Sequence, residues 1–166
     1  MSYKLSDESI INIHFIDFAG VEKYKNISGS ICMRADCCLL VYDITDRKSF
    51  IECQNYYKDT IKEKCKKNIQ IILIGNKADL EDKREISTEE AANFALENDY
   101  IFMETSCLKN ENVYEAFELI LRLTNINLKN GDKTEKIKLK NELRKKITQE
   151  KYLKKSFNKI MKYLSY

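Results

Sequence analysis

The sequence predicts an α/β fold with a largely parallel β-sheet. Residues 37–44 (CCLLVYDI) and 69–75 (IQIILIG) are nearly continuous apolar runs. Runs of this kind are typical of strands that are buried on both faces of a parallel sheet. Segments with helical signals alternate with the predicted strands, and that alternation also favours a parallel sheet covered by helices.

Two further strands are predicted on either side of the apolar runs. Residues 10–17 (IINIHFID) place Ile11, Ile13 and Phe15 alternately on one face, which indicates a first strand. Residues 100–105 (YIFMET) predict a shorter fourth strand. The sheet should therefore contain four strands.

Three helices are predicted from their capping residues. Asp46 is expected to cap a helix that continues to about Lys66. The segment 87–90 (STEE) is a capping box, which predicts a helix that ends near Glu97. The third helix is predicted to be capped by Asn110 and to run to about Thr124, with these residues facing inward: Val113, Phe117 and Ile120.

The chain is predicted to consist of a domain at residues 1–130 and a tail at residues 131–166. The tail carries 12 lysines and arginines against 4 acidic residues, whereas the preceding part carries 17 against 22. Its apolar residues recur at helical spacing, so we expect a basic amphipathic helix. This helix could lie on a membrane surface, or it could pack against the domain or bind a partner protein. A nucleic-acid role has only the charge of the tail in its favour.

The remaining composition indicates a cytoplasmic protein. No apolar stretch is long enough to cross a bilayer, and the N-terminus lacks the regions of a secretory signal. The six cysteines show no metal-ligand spacing, so we expect free thiols in a reducing compartment. The chain ends in YLSY without a prenylation motif. Attachment to the cytosolic face of a membrane would then depend on the tail.

Three short motifs follow predicted strands in order. Asp17-Phe18-Ala19-Gly20 follows the first strand, where a carboxylate can hold Mg²⁺ through water and a glycine N–H can approach a phosphate. Asn76-Lys77-Ala78-Asp79 follows the third strand. The aspartate there can accept hydrogen bonds from guanine N1–H and N2–H₂, which adenine cannot supply. Glu104-Thr105-Ser106-Cys107 follows the fourth strand, where a backbone N–H can reach guanine O6. Open α/β sheets bind their ligands at these strand ends.

The run from Ile13 to about Leu123 resembles a Rab-type small GTPase of the Ras superfamily. The matching segments are IDFAGVEKY, ADCCLLVYDITDRKSF, IILIGNKADL and METSCLKNENVYEAF. The resemblance implies a Ras-type doubly wound sheet, GTP or GDP with Mg²⁺ as ligands, and a switch function in vesicle traffic. It also implies roles for the following residues: Asp17 and Gly20 in the phosphate switch, with Asp17 at the metal; Asn76, Lys77 and Asp79 at guanine; and Ser106 and Cys107 completing the base site.

The sequence departs from the family pattern at the phosphate site. The family's phosphate loop reads G-x-x-x-x-G-K-[ST]. The glycines here are Gly20, Gly29, Gly75 and Gly131, and no two are five positions apart. Val21 stands where the family usually has a water-orienting glutamine. We therefore expect an incomplete, N-terminally truncated Ras fold whose nucleotide binding and hydrolysis are impaired, which leaves enzyme activity open.

Two functions follow from these departures. The first is a Rab-like guanine-nucleotide switch whose effectors and regulators bind near Tyr24 and Ile27. The alternative is a nucleotide-free pseudo-GTPase that serves as a protein-interaction module. The resemblance also has a structural consequence, because the family places its phosphate-loop strand between the counterparts of residues 10–17 and 37–44. These two strands should pair directly, or another segment should fill the gap, or the sequence is incomplete.

Overall fold

The computed structural model describes residues 2–5, 8, 10–17 and 33–128. The chain divides into two compact units, Met1–Asn130 and Gly131–Tyr166, and the described residues belong to the first. The predictions for Gly20, Val21, Tyr24, Ile27 and the basic tail lie outside the described residues.

The strands in the described part of the chain form two separate sheets. Strands β1 (Ser2–Lys4) and β2 (Ile10–Asn12) pair in antiparallel orientation. The parallel sheet has the order β3-β4-β5, with bounds Cys37–Asp43, Gln70–Asn76 and Ile101–Glu104. The parallel sheet confirms the predicted α/β fold.

Helices connect the parallel strands. Helix α1 (Arg47–Tyr56) continues through a π-helical turn (Tyr57–Ile61) into the short α2 (Lys62–Lys64). A 3₁₀ turn (Glu81–Lys83) and α3 (Thr88–Glu97) lie between β4 and β5, and α4 (Val113–Leu128) follows β5. The segment predicted as one helix to Lys66 is thus helical almost throughout, but the π turn changes its register.

The core occupies both faces of the parallel sheet. One face packs against α1 and α3 through a cluster that includes Leu40, Leu73 and Phe102, which lie side by side in the strand register. On β4, Ile72 and Ile74 are also buried, and they alternate with the residues of the first cluster. Helix α4 packs against β3 and β4. A sheet with helices on both faces is the doubly wound arrangement that the sequence predicts.

The two apolar runs differ in burial. Every residue of β4 from Gln70 to Gly75 is buried, which confirms the prediction for that strand. In β3, however, Val41 is 53% exposed, so the prediction of burial on both faces is wrong there. Among the described strands β3 has one neighbour, β4, and therefore lies at an edge of the sheet.

The predicted strand at residues 10–17 is mostly wrong. Only Ile10–Asn12 is a strand, because its partner β1 is three residues long and a strand needs a hydrogen-bonded neighbour. Phe15 is 54% exposed, and its ring meets that of Phe117 on α4 at a centroid distance of 5.7 Å. Among the described residues, the segment 10–17 does not pair with β3. Direct pairing of these two strands is therefore excluded for the described part of the chain.

Two of the three predicted helix caps are confirmed. The Lys48 N–H donates to Asp46 Oδ1 at 2.9 Å, and the Glu90 N–H donates to Ser87 Oγ at 3.1 Å. Asn110 is not a cap, because α4 begins only at Val113 and Asn110 has a φ of 54°. The cause is that Glu111 is held in an antiparallel bridge with Ser106.

The predicted inward face of α4 is correct in part. Ile120 is 2% exposed, whereas Phe117 is 38% exposed. Besides Ile120, the buried positions among the described side chains of the helix are Ala116, Leu119, Leu121, Leu123, Thr124 and Asn125.

Two further findings concern membranes and cysteines. None of the helices in the described segments is long and apolar enough to cross a membrane. Of the cysteines that the structure describes, four are free thiols, namely Cys37, Cys38, Cys53 and Cys107. Cys65 is disulfide-bonded, so the expectation that all six cysteines are free is wrong.

Candidate functional site

Two loops meet at the carboxyl end of the parallel sheet. The first follows β4 and contains residues 76–79, and the second follows β5 and contains residues 105–107; we call them the NKAD loop and the TSC loop. The Thr105 N–H donates to the Gly75 carbonyl at 2.9 Å, and the Ala78 N–H donates to the Thr105 carbonyl at 3.0 Å. The parallel pairing of β4 and β5 therefore continues into the loops.

The Asn76 side chain connects the NKAD loop to the TSC loop. Its Oδ1 accepts hydrogen bonds from Thr105 Oγ1 at 3.2 Å and from the Cys107 N–H at 3.3 Å. Asn76 thus acts as an internal brace. The Cys107 N–H, which the sequence suggested as a donor to guanine, donates to this brace in the structure.

A second connection joins Asp79 to Ser106. Ser106 Oγ donates to Asp79 Oδ1 at 2.5 Å and accepts from the Lys109 N–H at 3.1 Å. The backbone of Ser106 exchanges two hydrogen bonds with Glu111, at 3.0 and 2.9 Å. Ser106 is fully buried. A carboxylate can accept about four hydrogen bonds, so Asp79 keeps capacity for the N–H groups of a base.

Lys77 is held at the neighbouring strand end. It has a φ of 65°, in the left-handed region, and its Nζ lies 2.5 Å from Asp43 Oδ2. Asp43 faces Asn76 in the register of β3 and β4, which brings the carboxylate to the loop. The other carboxylate oxygen accepts from the Thr45 N–H at 2.8 Å and from Thr45 Oγ1 at 2.7 Å.

These contacts shift two pKa values. Burial acts to raise the pKa of Asp43, but the hydrogen bonds from Lys77 and Thr45 outweigh it, so the pKa lies below its ordinary value. The hydrogen bond to Asp43 raises the pKa of Lys77. Both groups are therefore charged at neutral pH.

The structure brings together five of the seven predicted site residues: Asn76, Lys77, Asp79, Ser106 and Cys107. Asp17 is exposed and makes no hydrogen bond or ion pair to the NKAD or TSC loop within the described residues. No group of three His, Cys, Asp or Glu side chains suited to a metal occurs in the described ranges. Of the donors predicted for a metal, the structure describes one, the Asp17 carboxylate.

Sequence reasoning missed two residues of the site. Asp43 caps the turn at Thr45 and also holds Lys77. The order of the parallel strands predicts that the ends of β3 and β4 meet, but not which side chains pair there. Arg84 bonds Glu104, the last residue of β5, at 2.8 and 3.0 Å. No pattern in the sequence distinguishes Arg84 from a solvated surface arginine.

The chain is similar in sequence to known proteins over most of its length. The model of the Ras family matches residues 2–126. The chain is 40% identical over 131 residues to the GTP-binding protein ypt3 of Schizosaccharomyces pombe, a match that covers 76% of this chain and 61% of that protein. It is 41% identical over 121 residues to the Ras-related protein Rab-13 of Canis lupus familiaris, covering 73% and 58%.

A third relative is the human Ras-related protein Rab-4A, 42% identical over 107 residues, with coverage of 64% of this chain and 49% of that protein. The chain thus spans about half to two thirds of the length of these relatives. The family match includes both loops at the carboxyl end of the sheet. The chain belongs to the Ras family of small GTPases and is of the Rab type.

Proposed function

We propose that the chain binds a guanine nucleotide and acts as a Rab-type switch in vesicle traffic. The observation that carries the proposal is the pairing of the NKAD and TSC loops, through Asn76 to Thr105 and through Asp79 to Ser106. The hydrogen bond from Ser106 holds the Asp79 carboxylate beside the TSC loop, which supports the proposal that Asp79 reads the base. Preorganised groups of this kind lower the cost of binding a base.

Each residue has a proposed role in reading guanine. Asp79 accepts hydrogen bonds from N1–H and N2–H₂, and the stem of Lys77 lies along the base. The Ser106 N–H donates to the Glu111 carbonyl, so the Cys107 N–H is the proposed donor to O6, and it would share its hydrogen between O6 and Asn76 Oδ1. Asn76 holds the two loops at the correct separation. A cysteine in place of the usual alanine at position 107 is compatible with this role, because the backbone supplies the donor.

The phosphate and metal contacts are a separate proposal. By family resemblance, Asp17 would hold Mg²⁺ through water and Gly20 would contact a terminal phosphate of GTP. Mg²⁺ keeps several waters and usually binds one or two carboxylates together with substrate phosphates, and among the described residues Asp17 supplies one such carboxylate. We derive no hydrolysis step from these residues.

We also propose that residues 1–166, taken alone, bind GTP more weakly than a polypeptide that contains the phosphate loop. These residues contain no G-x-x-x-x-G-K-[ST] segment. Without it, the charge-assisted hydrogen bonds from that loop to phosphate are absent, and the proposed phosphate contacts are the Gly20 N–H and Mg²⁺ held by Asp17. Such a polypeptide could still act as an interaction module that presents the segment near Tyr24 and Ile27, or the basic tail, to effectors and regulators.

The test is a titration of isotope-labelled residues 1–166 with GDP, inosine diphosphate and ADP, followed by the backbone amide signals of Ala78 and Cys107. We expect GDP to shift both signals and ADP to leave them in place. Asp79→Asn should lower the affinity for GDP by about tenfold or more, because it replaces a charged acceptor. Asp82→Asn is the matched control, since Asp82 is exposed in the adjacent 3₁₀ turn.

Equal responses to GDP and ADP would contradict guanine recognition. Calorimetry with GTP and Mg²⁺ tests the weaker affinity in the same samples. Magnesium-dependent binding at micromolar or tighter concentrations would contradict that second proposal.

A further inference from the structure

The Arg84 guanidinium donates five hydrogen bonds, so each of its N–H groups has an acceptor. Its Nη1 and Nη2 donate to the two oxygens of Glu104 at 2.8 and 3.0 Å. Its Nε and Nη2 donate to Glu81 Oε2 at 3.0 and 2.6 Å, and Nη1 also donates to the Ile86 carbonyl at 3.1 Å. The planar guanidinium thus donates two hydrogen bonds to the Glu104 carboxylate and two to the Glu81 carboxylate.

Two partners of Arg84, Glu81 and Glu104, lie next to the two loops of the candidate site. Glu81 opens the 3₁₀ turn two residues after Asp79, and Glu104 directly precedes Thr105. Thr88 Oγ1, in the first turn of α3, donates to Glu104 Oε1 at 3.0 Å. Arg84 therefore bridges the segment that follows the NKAD loop to the strand end from which the TSC loop begins.

This bridge is shielded from solvent on its strand side. The side chains of Arg84 and Glu104 are 13% and 16% exposed, whereas that of Glu81 is 68% exposed. A shielded pair is screened less by salt and solvent than a surface pair. Removing the arginine would leave the Glu104 carboxylate with Thr88 as its remaining side-chain donor among the described contacts, so the strand end would have to move or take up water.

We infer that Arg84 is a positioning residue for the base site, which fixes the separation of the NKAD and TSC loops without touching the base. This inference rests on the proposed function as far as guanine selectivity is concerned. Asn76 and the Asp79–Ser106 hydrogen bond join the loops at the candidate base site. Arg84 joins the adjoining segments through Glu81 and Glu104. A change in loop separation would misplace Asp79 relative to the donor of the TSC loop.

The test compares Arg84→Met with Arg47→Met. Arg47 is a matched control because it also donates to a carboxylate, that of Glu90, and to a backbone carbonyl, that of Glu85 at 2.7 Å. Its contacts join α1 to the start of α3 and not one loop to the other. Both variants lose one arginine charge and keep an apolar stem.

The first measurement needs no nucleotide. We expect Arg84→Met to shift the amide signals of Ala78 and Cys107, whose N–H groups donate between the loops, and Arg47→Met to leave them in place. Glu81→Gln is a milder variant at an exposed position, and it should shift the same signals by less. If Arg84→Met fails to fold, Glu81→Gln decides the outcome. Unmoved Ala78 and Cys107 signals in a folded variant would overturn the inference.

The second measurement is base selectivity. Inosine diphosphate lacks the N2 amino group, so the ratio of its dissociation constant to that of GDP reports how well Asp79 is placed. Arg84→Met should lower this ratio by about tenfold, the factor expected when one charged hydrogen bond is lost. An unchanged ratio in a protein that binds GDP would also overturn the inference. If the unmodified chain binds neither nucleotide, the proposed function fails, while the amide signals still decide whether Arg84 positions the loops.

Discussion

At the scale of single residues, Gly75 occupies a position that has no room for a side chain. A Cβ atom there would lie 2.7 Å from Tyr42 Oη, 3.0 Å from its Cζ and 3.1 Å from Ile44 Cγ2. Tyr42 is 2% exposed, and its hydroxyl has no hydrogen-bond partner among the described residues. The glycine that precedes the NKAD loop is therefore required by packing against the neighbouring strand.

Gly75→Ala should lower the free energy of unfolding by about 1–3 kcal/mol, the usual cost of overpacking a core. Tyr42→Phe removes the nearest atom of the clash and a buried hydroxyl without a partner, so we expect it to be neutral or stabilising alone. In the double variant it should recover part of the loss. Urea unfolding of the four proteins measures the coupling. Strict additivity would show that the tyrosine hydroxyl does not set the size limit.

Asp43 gives a prediction for pH dependence. Its pKa is lower in the folded protein than its ordinary value. Its contribution to stability is therefore fully present above the ordinary value and is lost as the pH falls through the folded-state pKa. Asp43→Asn should lower stability at neutral pH and make the decline towards acid pH shallower. Urea unfolding at a series of pH values checks this, with Asp82→Asn as the control. The prediction would be contradicted if the free energy of unfolding fell equally towards acid pH in Asp43→Asn and in the unmodified protein.

At the scale of elements, the capping box of α3 is half formed. Ser87 accepts the hydrogen bond from the Glu90 N–H at 3.1 Å, but the Glu90 carboxylate bonds Arg47 on α1. The helix thus begins where the sequence predicts, while its acidic residue takes part in a tertiary contact. Local capping patterns predict the start of a helix well, because the groups involved are neighbours in sequence.

Ser87→Ala should destabilise the protein by about 1 kcal/mol, since it leaves a helix N–H without its side-chain acceptor. Ser87→Thr retains an acceptor oxygen and serves as the control. Thermal unfolding by circular dichroism measures both. A loss in the threonine variant as large as that in the alanine variant would mean that packing and not capping determines the effect.

The elements that sequence reasoning missed have two causes. The alternation of Ile11, Ile13 and Phe15 is a local signal, but a strand also needs a partner, and β1 ends after three residues. Asparagine is a residue type that often caps helices, yet α4 begins at Val113 and not after Asn110, because Glu111 is held in a bridge with Ser106. In the first case the lack of a longer partner strand overrides the local preference, and in the second case a backbone bridge within the loop does so.

At the scale of the whole molecule, the parallel sheet and the meeting of the two loops could be predicted from sequence. Both follow from one rule, that parallel strands end at the same edge of a sheet. The contacts of Lys77 with Asp43 and of Arg84 with Glu104 could not be predicted. They depend on strand register and on the course of the chain between α1 and β5, which no local pattern contains.

The whole molecule also separates its cysteines by reactivity. Burial raises the pKa of the Cys38 and Cys53 thiols to about 12 and also raises that of Cys37. A thiol with so high a pKa is protonated at neutral pH and reacts slowly with electrophiles. Cys107 is exposed and follows Ser106 in the TSC loop.

Among the described free thiols, Cys107 is therefore the preferred point of attachment for a maleimide dye. A fluorophore attached to Cys107 would lie on the TSC loop, at the residue whose N–H donates to Asn76. Its emission would respond when the TSC and NKAD loops separate or close. The protein thus contains a natural labelling position from which occupancy of the candidate base site can be followed in real time.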